Sequence, residues 1–96
     1  MKPSQTLDQH RAAICEIVGR HRATNPRVFG SVRHGRDRDG SDLDLLVDPT
    51  PEASLFDLGA IQFEIKRVTG VEVDVLTPDD LPEHFRARVL GEALPV

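Results

Sequence analysis

Three aspartates and a glycine–serine pair are the residues of this chain whose types and spacing could do chemistry. Gly30-Ser31 is followed, after ten residues, by Asp42-Leu43-Asp44, and Asp74 lies in a later valine-rich run. Residues two apart on a strand point the same way, so Asp42 and Asp44 would share a face, and Asp74 could join them from a neighbouring strand. Carboxylates gathered in this way repel one another unless cations sit among them. Mg²⁺ suits such a cluster, because it prefers oxygen ligands and commonly combines a few carboxylates with phosphate oxygens and water. Two such ions would stabilise both the attacking and the leaving oxygen of a phosphoryl or nucleotidyl transfer. Gly30 and Ser31 supply the complementary half: a glycine turn admits close backbone approach, and the N–H groups and hydroxyl at a helix start favour a phosphate. Taken singly, each element has a plainer reading, an alternating charged strand face or an ordinary strand-to-helix turn. Their joint spacing favours the site.

The elements needed to bring these residues together are legible. Arg27-Val28-Phe29 reads as a short strand running into the Gly30-Ser31 turn. From Asp42 to Asp48 the pattern alternates, which puts Leu43, Leu45 and Val47 on one sheet face and Asp42, Asp44, Leu46 and Asp48 on the other. Val71, Val73 and Val75 alternate with Glu72, Asp74 and Leu76, a third strand with Asp74 on its polar face. The stretch from Val32 to Ser41 is rich in Gly, Arg and Asp and reads as a loop opened by a helical turn at Ser31. Helices should cover the sheet. Thr6-Leu7-Asp8-Gln9 has the form of a capping box and predicts a helix start there, with Leu7, Ala13, Ile14, Ile17 and Val18 on one stripe until Asn25-Pro26 breaks the pattern. Ser54 as N-cap with Asp57 at N3 predicts a second helix, striped by Leu55, Leu58, Ile61, Ile65 and Val68 and closed by Gly70. Thr77-Pro78 predicts a final helix through Leu81, Phe85 and Val89 to Gly91, followed by a short tail. The order α-β-turn-β-α-β-α implies a small α/β sheet covered by helices.

Other conspicuous residues have quieter readings. Arg33, Arg36 and Arg38 could meet a triphosphate or a partner, Arg33 best by position, but Asp37 and Asp39 interleave with them as in a solvated mixed-charge loop. No Gly-Lys-Ser/Thr occurs, so the turn is not a P-loop. His10, His21, His34 and His84 lack metal-ligand spacing and read as core-edge or surface residues. Phe56 and Phe63, one heptad apart and off the apolar stripe, form a second apolar strip that is either further core or a face exposed for association; core is the favoured reading in so small a domain. Cys15 reads as a buried or partly buried helix thiol with no chemistry.

Composition sets the outer bounds. Ninety-six residues, 39% hydrophobic, suit a single domain over 1–96 and leave no room for linked catalytic and substrate-binding domains. A formal charge of -4 argues against a general nucleic-acid binder. One cysteine excludes an internal disulfide, and no apolar run reaches the length of a membrane span or a signal-peptide core, so a cytoplasmic protein is expected.

On Gly30-Ser31-Val32-Arg33-His34-Gly35, Ser41-Asp42-Leu43-Asp44-Leu45-Leu46-Val47 and Val73-Asp74-Val75-Leu76, the chain resembles the minimal nucleotidyltransferase family of the DNA polymerase beta superfamily. The resemblance covers nearly the whole chain and implies a polymerase beta palm-like fold with a small mixed sheet. It implies that Gly30 and Ser31, with Arg33, hold a nucleoside triphosphate, expected to be ATP. It further implies that Asp42 and Asp44 ligate Mg²⁺, two ions in the expected case, and that Asp74 completes the metal site beside the attacking hydroxyl. The implied reaction moves AMP to a hydroxyl and releases pyrophosphate. Many family members of this size resemble antitoxins paired with a HEPN-domain RNase toxin, neutralised by AMPylation of a toxin tyrosine or by binding alone. The expected assembly is then a hetero-oligomer with that toxin. This chain contains no tyrosine, so a tyrosine acceptor must belong to another molecule. A small-molecule hydroxyl is the less favoured acceptor, since the helical domain that larger relatives use to hold one has no counterpart in this sequence.

Overall fold

The computed structural model describes residues 1–96. Helix α1 spans Pro3–Arg20, strand β1 Ala23–Phe29, the short helix α2 Gly30–Arg33 and strand β2 Leu43–Pro49. Helix α3 follows at Leu55–Thr69, then strand β3 at Val73–Leu76, a 3-10 turn at Pro78–Asp80, helix α4 at Glu83–Glu92 and strand β4 at Leu94–Pro95. The strands form one sheet in the order β3-β2-β1-β4. β2 and β3 are parallel, joined through α3, while β1 runs antiparallel to both β2 and β4. The expected small mixed α/β sheet is therefore present.

The main core lies between one sheet face and the helices α1 and α3. Leu43, Leu45 and Val47 pack there with Ile14, Ile17 and Val18 of α1 and Ile61 and Ile65 of α3. The period-two reading of β2 holds for this face. On the opposite face Leu46 is also fully buried, beneath the segment that carries the 3-10 turn. At the edge of the main core the His21 ring bonds Glu64, which ties the end of α1 to α3. That bond, with Arg20 near by, holds the Glu64 carboxyl below the usual glutamate range.

Several boundaries differ from the sequence expectation. α1 begins at Pro3, not at Thr6: proline at the first helical position gives up no helical hydrogen bond, and the Gln5 side chain accepts from the Lys2 N–H at 2.9 Å. Asp37, far along the chain and buried, accepts from the Ser4 N–H at 2.8 Å, so it satisfies a further free donor of the first turn. β1 runs through Asn25-Pro26, because the register shifts between Thr24 and Arg27 and so accommodates a proline that cannot donate to the ladder. The single final helix divides in two. The Thr77 N–H and hydroxyl both donate to the Asp80 carboxylate and cap the 3-10 turn, and Pro82 forces Leu81 into extended backbone before α4 restarts. The tail is a strand, with Val28 opposite Leu94 on the edge of β1.

Two core assignments are overturned. Phe56 is 90% exposed and Phe63 67% exposed, while Leu55 and Val68 on the expected stripe are exposed as well. α3 has the sheet on one side only, so the face opposite Ile61 and Ile65 has nothing to pack against. Cys15 is exposed, since it is rotated about 100° along the helix from buried Ile14. No helix is long and apolar enough to cross a membrane.

Candidate active site

The register of the parallel β2–β3 pair sets Asp44 directly opposite Asp74. Both side chains leave the sheet on the face away from α1 and α3, because the residues flanking them, Leu43, Leu45, Val73 and Val75, occupy the core. Asp42 sits exposed just ahead of β2, one alternation from Asp44. Asp44 is the most enclosed of the three. Burial, reinforced by the neighbouring Asp74 and Asp42 carboxylates, pushes its pKa up to about 6. The three carboxylates therefore lie near enough for Asp74 and Asp42 to disfavour the charged form of Asp44.

Gly30 closes the same site from β1 and α2. Phe29 pairs with Asp44 across β1 and β2, so the turn that follows β1 arrives beside the carboxylate. Gly30 has φ +69°, and a Cβ there would collide with Asp44 Oδ2. Two demands thus coincide on one residue: left-handed backbone and closeness to a carboxylate, each of which glycine alone meets without strain. Ser31 and Val32 continue into the single turn of α2, with Ser31 half-buried at its start.

The donor set fits a hard divalent cation: oxygen ligands only, in a cluster whose mutual repulsion a positive charge would relieve. It is not a closed cage. No three His, Cys, Asp or Glu side chains converge tightly enough to hold an ion by themselves. An ion held there would need further ligands from substrate or water.

The other nominated residues lie elsewhere. Arg33 turns away from the carboxylates, and its Nε donates to the Glu92 carbonyl at the end of α4. His34 Nε2 lies 3.1 Å from the Glu92 carboxylate beside it. Arg36 and Arg38 are exposed around Asp37, whose carboxyl is buried. Burial alone would raise the Asp37 pKa, but the Ser4 hydrogen bonds, with Lys2 near by, outweigh it and leave it below the usual value. His10 bonds the Thr6 carbonyl and His84 stacks edge-on against Phe85.

Gly30 and Arg33 also border a cleft of about 230 Å³ whose far wall is α4, through Phe85, Arg88 and Glu92. Sequence reading missed this wall. Phe85, Val89 and Glu92 fall at helical spacing, and α4 buries none of its residues, so its apolar side chains line the cleft. The available signal was Pro82, which detaches α4 from the preceding turn.

Comparison with known proteins bears on the whole chain. Residues 7–96 match the family model described as nucleotidyltransferase domain. The chain is 32% identical over 90 residues to "Putative protein adenylyltransferase MJ0435" of Methanocaldococcus jannaschii, covering 94% of this chain and 97% of that protein. A solved structure described as a "putative minimal nucleotidyltransferase" superposes with a TM-score of 0.87 at 38% identity, covering 97% of this chain and 95% of that one. A second, from a toxin–antitoxin crystal structure with AMP-PNP, shares the fold at a TM-score of 0.73 and 14% identity, over 88% of this chain and 69% of its own. With the family pattern matched from Leu7 to the last residue and the carboxylates carried on the matching fold, the chain belongs to the nucleotidyltransferase domain family, as a minimal nucleotidyltransferase.

Proposed function

We propose that the chain transfers AMP from ATP to a hydroxyl of a protein, a tyrosine of a HEPN-type RNase toxin, and so acts as the antitoxin of that toxin. The observation that carries the reading is the meeting of Gly30 with Asp44 on a face where Asp74 stands in register. A phosphate-accommodating turn and a cation-seeking cluster adjoin there. The name of the Methanocaldococcus jannaschii relative supports protein as the acceptor, and the toxin–antitoxin neighbour with AMP-PNP supports a toxin partner and an adenine nucleotide. The absence of tyrosine from this chain directs a tyrosine acceptor to another molecule.

In this reading Gly30 and Ser31 hold the triphosphate through backbone N–H groups and the Ser31 hydroxyl. Asp42, Asp44 and Asp74 would hold Mg²⁺, which would neutralise charge on the phosphates and lower the pKa of the attacking hydroxyl. Asp74, exposed beside Asp44, orients that hydroxyl for in-line attack on the α-phosphorus. The hydroxyl gives up its proton to the Asp74 carboxylate and from there to water, a new oxygen–phosphorus bond forms, the bond from the α-phosphorus to the bridging oxygen breaks, and pyrophosphate leaves. Arg33, released from the Glu92 carbonyl, would pair with the triphosphate as it binds.

The test is intact mass spectrometry of the co-purified toxin after incubation with Mg²⁺ and ATP, with wild type and an Asp42→Asn/Asp44→Asn variant. AMP added to the toxin by wild type alone is expected. A toxin neutralised equally by both proteins, with no change in mass, would replace transfer by inhibition through binding.

A further inference from the structure

We propose that the outward face of α3 is a self-association surface, on which a second copy of this chain docks through its own α3, antiparallel, about a two-fold axis between Gly59 and Ala60. At about 100° per residue, Phe56 and Phe63 fall almost directly opposite the buried Ile61 and Ile65, with Gly59 and Ala60 between them. The two rings stand about 10 Å apart along the helix. Between them the surface is low: a Cβ at Gly59 would meet nothing in its own chain.

That sequence of large, small, small, large is self-complementary. Position 59.5 is the midpoint of Phe56 and Phe63, so a two-fold axis there sets Phe56 of one copy level with Phe63 of the other, and the reverse. The small residues of both helices meet at the axis and let the backbones come close enough for the rings to overlap in offset or edge-on contact. Charge supports the same orientation. Glu52 lies in the turn before α3 and Arg67 in its last turn, and neither forms an ion pair in its own chain. An antiparallel pair brings the approach to α3 of each copy, with Glu52, towards the end of the other helix that carries Lys66 and Arg67. A parallel pair would oppose like ends.

The expected dimer is weak. Four phenylalanine side chains would bury about 600 Å², and with their surroundings they approach the low end of stable interfaces, near 1,200 Å². The pairing leaves both carboxylate faces open, because Asp44 and Asp74 leave the sheet on the side away from α3.

Sedimentation equilibrium of the full chain over a concentration range tests the proposal. Wild type should rise from 10.6 kDa towards twice that mass. Phe56→Ser/Phe63→Ser should weaken association about thirtyfold or more, as loss of interface-centre aromatics does. Gly59→Leu, which leaves the apolar surface intact but fills the gap at the axis, should weaken it as well; all variants are checked for unchanged thermal unfolding. Glu52→Arg and Arg67→Glu should each weaken the dimer and together restore it. A chain that stays monomeric overturns the proposal, as does a dimer indifferent to Phe56, Phe63 and Gly59. Failure of the double charge reversal to restore association overturns the antiparallel orientation. A complex with a different protein through these phenylalanines, in place of self-association, overturns the assignment to a second copy.

Discussion

The two faces of the sheet are built to different rules. Towards α1 and α3, aliphatic side chains from three strands and two helices are enclosed to near-zero exposure. On the opposite face β2 and β3 present Asp44 and Asp74, and α4, across the cleft from Gly30, buries none of its residues. A β-strand of seven residues serves both, because its side chains alternate: Leu43, Leu45 and Val47 secure the fold while Asp44 between them meets a destabilising environment. The contrast teaches that stability and chemistry here are separated by the thickness of one strand. Substitutions one residue apart should therefore fail in opposite ways.

Asp44→Asn is the sharpest break. Transfer should fall about a hundredfold or more, on the scale of losing one electrostatic element of a transition-state site, while thermal unfolding stays unchanged or moves up because a repelled, half-enclosed charge is gone. Steady-state kinetics beside a melting curve read both quantities. Next door, Leu45→Ala should cost about 3 kcal/mol of stability in chemical denaturation, with the surviving folded protein still competent to bind nucleotide. A Leu45 variant that stays stable but loses chemistry would erase the separation of the faces.

Gly30→Ala tests where the two regions touch. It should lower affinity for nucleotide, read by titration calorimetry, and cost about 1–2 kcal/mol of stability, since alanine is strained at a left-handed φ and its methyl meets Asp44.

The pH dependence of stability separates the carboxylates. The Asp44 pKa stands near 6 in the fold against about 4 in the unfolded chain. Between those values the folded state binds the extra proton, so this group's contribution declines as pH rises from about 4 to 6 and is flat above. Asp37 is depressed, so its contribution is present above the ordinary carboxylate value and is lost as pH falls below it. Denaturation midpoints across pH should lose the first slope in Asp44→Asn and the second in Asp37→Ala, and Mg²⁺ should flatten only the first. At the small end, Cys15→Ser should shift stability by less than about 0.5 kcal/mol, because the thiol is exposed on α1.

Period-two alternation made the candidate site legible: it aligned Asp42 with Asp44 and exposed Asp74 between valines, and the strand register then did the rest. Helical periodicity was less informative. It shows which residues share a stripe but not how many neighbours the helix has, so Phe56 and Phe63 were assigned to a core that exists on one side of α3 only. Strand β4 is too short to alternate and contains proline, so only pairing with β1 reveals it. The bond from Arg33 to Glu92, like that from Ser4 to Asp37, joins residues distant in sequence, for which local pattern carries no signal.

The Ser4–Asp37 bond has a thermodynamic reach beyond its own cap. It fastens the segment between the glycine–serine turn and the paired aspartates to the start of α1, so that segment is already restrained when a nucleotide arrives. Its conformational entropy is surrendered once, at folding, and need not be subtracted from each binding event. Amide hydrogen exchange should accordingly show the loop opening together with the first turn of α1, as one cooperative unit.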